Sequence, residues 1–491
     1  MSWLRRFDIP RLVTVITFLA VFAMAARISV DTDTWWHLRA GQWIWEHRAV
    51  PTVDPFSYTR QGAAWQYPGW IVEVPMYWIF SLLGPGGLNL WTAAMVTLAF
   101  AFVWRTLSGG PFLRAFVMIL GVAASGVYWA ARPYLVTFLL AAIYLCILED
   151  FRGKDYPSGY RRIWWLPALM ALWANSHGGF AVGFILLGVY FVGCFRIVIN
   201  GSRIGIAYSR MALRTLVPVS LVSILAVCIN PYGPVMLLYP FKTVGIGALQ
   251  DYIQEWQSPN FHSISVQPFA WLLLLTLGAV GVSRRRISLV DLLLVSGFFY
   301  LGLLAGRNVA LFALVAPMVI TRHLAPVMEV LAWRIRLRSL PVGLVPRGIA
   351  LTNLLIAGLV LVAVGFKVAL VYPLSANEDA FRIGLPVGAV QYLREAEPPG
   401  RLFNSYNWGA YLLWALPEHP VFVDGRTDLY NDEVIGEWLH AARAEEGWQG
   451  VLDRWDVRLI LLEPSTPLVY RLEVNGWRLL YSDEVAVVYG R

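Results

Sequence analysis

The sequence predicts a polytopic α-helical membrane protein, with about eleven transmembrane helices followed by a small C-terminal α/β domain, on three observations. Of its 491 residues, 58% are hydrophobic and 14% charged, against about 25% charged in an ordinary soluble domain. Several stretches of roughly 16 to 23 residues carry no charge, close to the length a helix needs to cross about 30 Å of hydrocarbon. Helices are nearly forced there, because lipid offers the backbone no hydrogen-bond partner. The charge is also unevenly spread. Residues 372–491 hold 18 Asp or Glu and 10 Arg, net −8, which leaves 29 basic and 13 acidic residues, net +16, in 1–371. This contrast places a boundary near Tyr372, between a transmembrane domain (1–371) and a C-terminal domain (372–491).

The apolar runs fall at 12–28, 88–104, 114–131, 134–149, 163–175, 180–199, 215–230, 268–282, 288–305, 309–321 and 349–371. Basic residues cluster between them: Arg5, Arg6 and Arg11; Arg152, Lys154, Arg161 and Arg162; Arg196, Arg203, Arg210 and Arg214; Arg284 to Arg286; Arg334, Arg336, Arg338 and Arg347. If each run crosses once, all of these lie on the cytoplasmic side with the N-terminus. The excess is therefore a topology signal and not a nucleic-acid surface. A further candidate, Trp70 to Leu83, contains Glu73 and Pro75 and would invert everything after it, so it reads as an interfacial or re-entrant helix within a long first outer loop, 29–87. Trp164 to Ala174 and Val309 to Ile320 are short for spans, so the breaks beside them are expected below the membrane surface, lining a protein-enclosed cavity. No small-residue cleavage site follows the basic start before Arg27, so the first run is read as a retained helix. Cys146, Cys194 and Cys228 fall inside apolar runs without paired spacing and read as buried hydrophobes.

In the C-terminal part, Leu402 to Ser405, Val421 to Asp424, Leu459 to Leu462 and Ala486 to Tyr489 have strand character. Trp408 to Leu416 and Glu433 to Trp455 have helical period. A small layered α/β fold outside the membrane is expected.

This threading collects the unusual polar residues on the outer face: Asp31, Asp33 and His37, then Asp54, Arg132 before Pro133, the break Asn175 to Gly179 with His177, Asn230 with Tyr232, Glu255 with Trp256, and Arg307 with Asn308. Each has a bland reading. Asp31 and Asp33 suit the N-cap of a helix starting near Thr34, although two adjacent carboxylates repel unless a cation or a shared proton relieves them. Asn175 to Gly179 reads equally as a tight turn. Arg132 and Arg307 suit snorkelling, but the positive-inside rule gives no reason for arginine on that face, and an anionic partner such as a phosphate would. Asp424-Gly425-Arg426 reads as a turn with a local ion pair.

The segment Asp31-Thr-Asp-Thr-Trp-Trp-His-Leu-Arg-Ala-Gly41, with Asp54-Pro-Phe-Ser57 and Trp65, resembles a bacterial branch of the GT-C superfamily of membrane glycosyltransferases. That branch carries motifs similar to Leu172 to Gly179, Asn230-Pro-Tyr-Gly233 and Asp424-Gly-Arg426. In better-characterised members the acidic residue after the first helix is commonly followed by Glu; here Thr34 follows Asp33, which leaves the division of roles between the two aspartates open. The resemblance implies a GT-C-like fold in the bacterial cytoplasmic membrane. It also implies an inverting transfer of sugar from a polyprenyl-phosphate donor to a glycan, lipid or protein acceptor on the outer side. In that reading Asp33 is the general base, with Asp31 or His37 orienting it, or with Asp31 and Asp33 sharing a divalent cation such as Mg or Mn. Arg132 and Arg307 meet the donor phosphate, and Asn175, His177, Asn230, Tyr232, Glu255, Asp424 and Arg426 are candidates for substrate contacts. Trp35, Trp36, Trp43, Trp65 and Trp70 stack on sugars or anchor the loop in the interface. The rivals are a transporter or flippase of a lipid-linked glycan, whose usual internal repeat is not visible here, and a non-catalytic scaffold.

Overall fold

A computed structural model describes residues 4–153, 158–200, 203–247, 253–334 and 343–491; Lys154, Arg336 and Arg338 lie outside them. The chain is mostly helical and ends in a small sheet. Among the described residues, six helices are long and apolar enough to cross a membrane: Trp70–Thr106, Pro111–Tyr128, Tyr134–Arg152, Arg210–Val227, Gly306–Arg334 and Arg347–Val371. The other apolar runs also form helices, of 10 to 17 residues: Ile9–Ala25, Trp165–Ala174, Gly178–Val192, Gln267–Val282 and Leu289–Leu304.

Local chemistry sets where these elements begin and bend. Helix α1 (Ile9–Ala25) starts where the Asp8 carboxylate accepts from the Arg11 N–H at 3.0 Å, with Pro10 in the first turn. Helix α2 (Thr34–His47) follows in the first outer loop. The expected helix from Trp70 to Leu83 forms the first part of α3 (Trp70–Thr106) and is set off from the spanning part by Gly84, whose non-helical φ of 65° suits glycine and precedes Pro85. Gly41 lets α2 cross α3 closely, since a Cβ there would stand 2.1 Å from the Glu73 carbonyl oxygen. Helix α4 is Pro111–Ser125 and α5 is Tyr134–Arg152.

Two expectations about length are corrected. The run at Val309 continues through Pro317 and Pro326 to Arg334, 26 residues in all: Thr321 and His323 are buried and Arg322 is paired with Glu149 and Asp291, so this polar stretch does not end the helix. The run at 180–199 stops as a helix at Val192, after which β1 (Phe195–Asn200) and β2 (Arg203–Tyr208) form an antiparallel hairpin.

The C-terminal sheet has the order β3-β4-β6-β5, with β3 (Arg401–Asn404) parallel to β4 (Val457–Leu462) and β6 (Val487–Gly490) antiparallel to β4 and β5 (Arg478–Ser482). Strand β5 and the helices Leu374–Gly384 and Val387–Ala396 escape sequence reading, and the expected helix 433–455 is two, Thr427–Ala442 and Trp448–Arg454. Val421 to Asp424 is not a strand of this sheet. Its backbone groups go elsewhere: the Asn404 side chain accepts from Phe422 N–H at 2.8 Å and donates to the Val423 carbonyl at 2.7 Å, while Thr59 Oγ1 donates to the Phe422 carbonyl at 2.5 Å. The segment is thus held to β3 by the Asn404 side chain and to the first outer loop by Thr59, without joining the ladder.

Two apolar cores result. One fills the helix bundle, and the other joins Trp35, Trp36, Phe56 and Trp65 of the first outer loop to the buried faces of the C-terminal sheet and helices. Buried amides fix this second body on the first. Asn89 of α3 donates to the Val371 carbonyl at 3.0 Å and to Asn377 Oδ1 at 2.9 Å, at the point where the last span ends. At the opposite end of α5 from Arg132, a second set of ion pairs links Arg152 to Asp291 at 2.8 Å and Arg322 to Glu149 at 2.5 Å.

Candidate active site at the junction of the outer loop and the C-terminal domain

Two aspartates two residues apart do different things. Asp31 Oδ1 accepts from the Thr34 N–H at 3.1 Å, so it serves the start of α2. Asp33 occupies the N-cap position but makes no capping bond with its side chain. Its carboxylate points away from the helix to Gly425, where a Cβ would lie 1.9 Å from Asp33 Oδ1. A Cβ there would push this carboxylate aside, so Gly425 of the Asp424-Gly425-Arg426 turn forms one wall around Asp33.

Arg132 stands between the two acids. Its Nε donates to Asp31 Oδ1 at 2.6 Å, Nη2 pairs with Asp31 Oδ2, and Nη1 reaches Asp33 Oδ2 at 2.8 Å and Glu255 Oε2 at 3.3 Å. The backbone beneath it is fixed as well: the Ala131 carbonyl accepts from Thr34 Oγ1 at 3.1 Å, and Pro133 leads directly into α5. Arg307 meets the other oxygen of Glu255 at 3.5 Å and lies over the Trp256 ring at 4.4 Å. Two arginines 175 positions apart therefore share one carboxylate. The whole cluster keeps some access to solvent, with side-chain exposures of 14% for Asp31, 24% for Asp33, 20% for Arg132, 27% for Glu255 and 28% for Arg307.

Burial pushes the Asp33 carboxyl up to about 7; Arg132 opposes that shift, and Asp31, Glu255 and Asp424 add to it. His177 comes from the break after helix Trp165–Ala174. Its Nδ1 accepts from the Gly179 N–H at 3.0 Å and is 3.0 Å from Thr137 Oγ1, so the ring proton sits on Nε2. Burial first, then Arg307 and Arg132, hold its pKa down to about 3, so it is a neutral donor beside the arginines.

The remaining residues singled out from sequence divide by place. His37 is buried against Glu73, Nδ1 to Oε1 at 2.9 Å, and its ring lies tilted against Trp36; its backbone N–H donates to the Asp33 carbonyl at 3.4 Å, and no side-chain hydrogen bond joins the two. Asn175 accepts from Trp70 Nε1 at 2.9 Å and donates to the carbonyls of Ala171 and Ile229, tying two breaks together. Asn230 Oδ1 caps the turn by accepting from the Tyr232 N–H at 2.7 Å, and Tyr232 Oη donates to the Tyr67 carbonyl at 3.2 Å. Asp424 and Arg426 are fully buried, Arg426 bridging Asp424 at 2.7 Å and Asp54 at 2.6 Å. Sequence reading missed Tyr406, whose hydroxyl meets Thr427 Oγ1 at 2.7 Å, and Asp428, which accepts from Tyr239 at 3.2 Å. Burial raises the Asp428 carboxyl to about 6. A single Asp in the first turn of a helix gives no sign of that in sequence.

The sequence matches no family model and no curated protein. Solved structures do match over almost the whole chain. The apo oligosaccharyltransferase of Archaeoglobus fulgidus is 14% identical with a TM-score of 0.58, covering 100% of this chain and 75% of that one. The oligosaccharyltransferase AglB of the same organism, in complex with an inhibitory peptide and a dolichol-phosphate, is 12% identical with a TM-score of 0.58, covering 98% and 74%. ArnT from Cupriavidus metallidurans bound to undecaprenyl phosphate is 13% identical with a TM-score of 0.50, covering 97% of both chains. The chain thus shares the overall fold of these membrane glycosyltransferases, in keeping with the GT-C-like fold that the first-loop resemblance implies, and its long apolar helices suit a multi-pass membrane protein. Identities this low speak for the fold and leave the chemistry to the site.

Proposed function

We propose that the chain is an inverting membrane glycosyltransferase that moves a sugar from a polyprenyl-phosphate donor to an acceptor hydroxyl on the extracytoplasmic side. The observation that carries this reading is the Asp33 carboxylate, free of capping duty and partly exposed, in a cluster where Arg307 has donors to spare. Arg307 makes one ion pair and one ring contact, which leaves most of its fork for a phosphate. The neighbours solved with dolichol-phosphate and undecaprenyl phosphate support the class of lipid.

The residues suggest one balanced step. The acceptor oxygen attacks the anomeric carbon and its proton passes to Asp33. The bond from that carbon to the phosphate oxygen breaks, and the polyprenyl phosphate leaves with the electron pair, its charge met by Arg307 and the Nε2–H of His177. Salt bridging of Asp31 and Asp33 to Arg132 would suit a scaffold equally. What favours catalysis is that Asp33, Glu255 and Arg307 stay accessible together.

Replacing Arg307 with Lys keeps the charge but loses the fork. The KM for a polyprenyl-phosphate sugar should rise by about tenfold, the cost of one charged hydrogen bond, with kcat changing less. An unchanged donor KM would remove Arg307 from the donor site. In the full reading the eleven apolar helices each cross once in the bacterial cytoplasmic membrane, with the N-terminus inside and residues 372–491 outside. A reporter fused after Tyr372 should then be active only outside the cytoplasm, and one in the loop Arg284 to Arg286 only inside. Opposite activities at either point would end this topology.

A further inference from the structure

Three carboxylates from two distant parts of the chain, Asp31, Asp33 and Glu255, converge on one point, and that point holds the guanidinium of Arg132. This is the kind of ligand set in which a hard divalent cation is usually held, by carboxylate oxygens at roughly 2.0 to 2.6 Å. Here the same lone pairs are spent on nitrogen: all three guanidinium nitrogens are engaged, two by Asp31 and the third by Asp33 and Glu255 together. The backbone that carries the arginine is fixed. Its backbone N–H donates to the Ala130 carbonyl at 2.8 Å, Ala131 is held by Thr34, and Pro133 stiffens the next step. Among the described residues, no group of three or more His, Cys, Asp or Glu is arranged to hold a metal ion.

We infer that Arg132 takes the place of a divalent cation, so that the cluster works with a built-in, metal-independent positive charge. The inference rests on the proposed transfer for its chemistry, but its cation readout does not depend on that reading. A dication added to these oxygens would have to displace a guanidinium of the same sign from a bidentate partner. The residues present therefore do not fit a metal while Arg132 is in place. The fixed guanidinium keeps Asp31 and Asp33 from repelling each other, and it holds positive charge beside the base without blocking the oxygen of Asp33 that faces Gly425. Because its nitrogens are already used, it acts on Asp33 and leaves direct phosphate contact to Arg307. Arg132 is in this sense a positioning residue.

The test uses the full-length purified chain, treated with EDTA and titrated with Mn²⁺, with binding read by electron paramagnetic resonance and transfer measured separately. The wild type should bind no stoichiometric Mn²⁺ and lose no transfer to EDTA. Arg132→Ala should lose transfer by about 10²- to 10³-fold and, with its three carboxylates freed, bind one equivalent of Mn²⁺. Arg132→Gln, which keeps two donors, serves if the alanine variant does not fold. One equivalent of Mn²⁺ on the wild type, lost in Asp33→Asn, would overturn the inference, as would EDTA-sensitive transfer restored by Mn²⁺. So would folded Arg132 variants that bind no Mn²⁺, since the carboxylates would then be no cation site at all. Absence of transfer in every sample would count against the glycosyltransferase reading and leave the Mn²⁺ result to decide this one.

Discussion

Asp33→Asn should lower sugar transfer by about 10²- to 10⁴-fold, the contribution of a positioned general base, while the protein folds as well as the wild type. The amide keeps the size of the side chain and its contact with Gly425, but it cannot take a proton. The raised carboxyl, at about 7, gives two further marks. Wild-type kcat/KM should climb with pH and level off above an apparent pKa near 7, because the base acts only when ionised. Stability has the opposite sign. A carboxyl that holds its proton more tightly in the folded chain than in the unfolded one makes the native state the greater proton binder between about pH 4 and pH 7, so this group's contribution to stability falls as pH rises through that window. The Asn variant should therefore be as thermally stable as the wild type at pH 8, or more so. Near-normal turnover in the folded variant would exclude Asp33 as the base, and a rising limb that survives in it would assign the titration to another group.

Much of this was legible in sequence because lipid and charge leave clear marks. Every apolar run forms a helix over most of its length, and Arg132 and Arg307, out of place under the positive-inside rule, do meet at Glu255. The opaque parts are those in which one side chain replaces a regular interaction. Val421 to Asp424 has the composition of a strand, but Asn404 and Thr59 use up its backbone groups. Asp31 and Asp33 are equivalent on paper. Only the three-dimensional turn shows that Asp31 caps α2 while Asp33 faces a glycine 392 residues later. His37 shows the same limit, since the partner of its ring is Glu73, at 2.9 Å and 36 residues further along the chain. Long-range pairing of this kind has no local period to announce it.

The same dependence on distant partners makes Arg426 the residue whose loss should damage the fold most. Its guanidinium is completely buried, donating Nη1 to Asp54 at 2.6 Å and Nε and Nη2 to Asp424 at 2.9 and 2.7 Å, and it lies 4.8 Å from the Trp65 ring centre and 5.2 Å from that of Phe56. Asp54 in turn accepts from the N–H groups of Phe56 and Ser57, so the first outer loop is wound around a carboxylate that Arg426 neutralises. Arg426→Met fills the volume but strands two buried carboxylates, a loss of about 3 to 5 kcal/mol. Its effects should appear together: a lower thermal transition, faster proteolysis of the loop around Asp54, and a fall in transfer because Gly425 no longer confines Asp33. Combining Arg426→Met with Asp54→Asn and Asp424→Asn should recover part of the stability, since the uncompensated charge is the main source of the damage. A single Arg426→Met protein with wild-type thermal stability would show that the outer loop and the C-terminal domain are held together by their shared apolar core and not by this ion cluster.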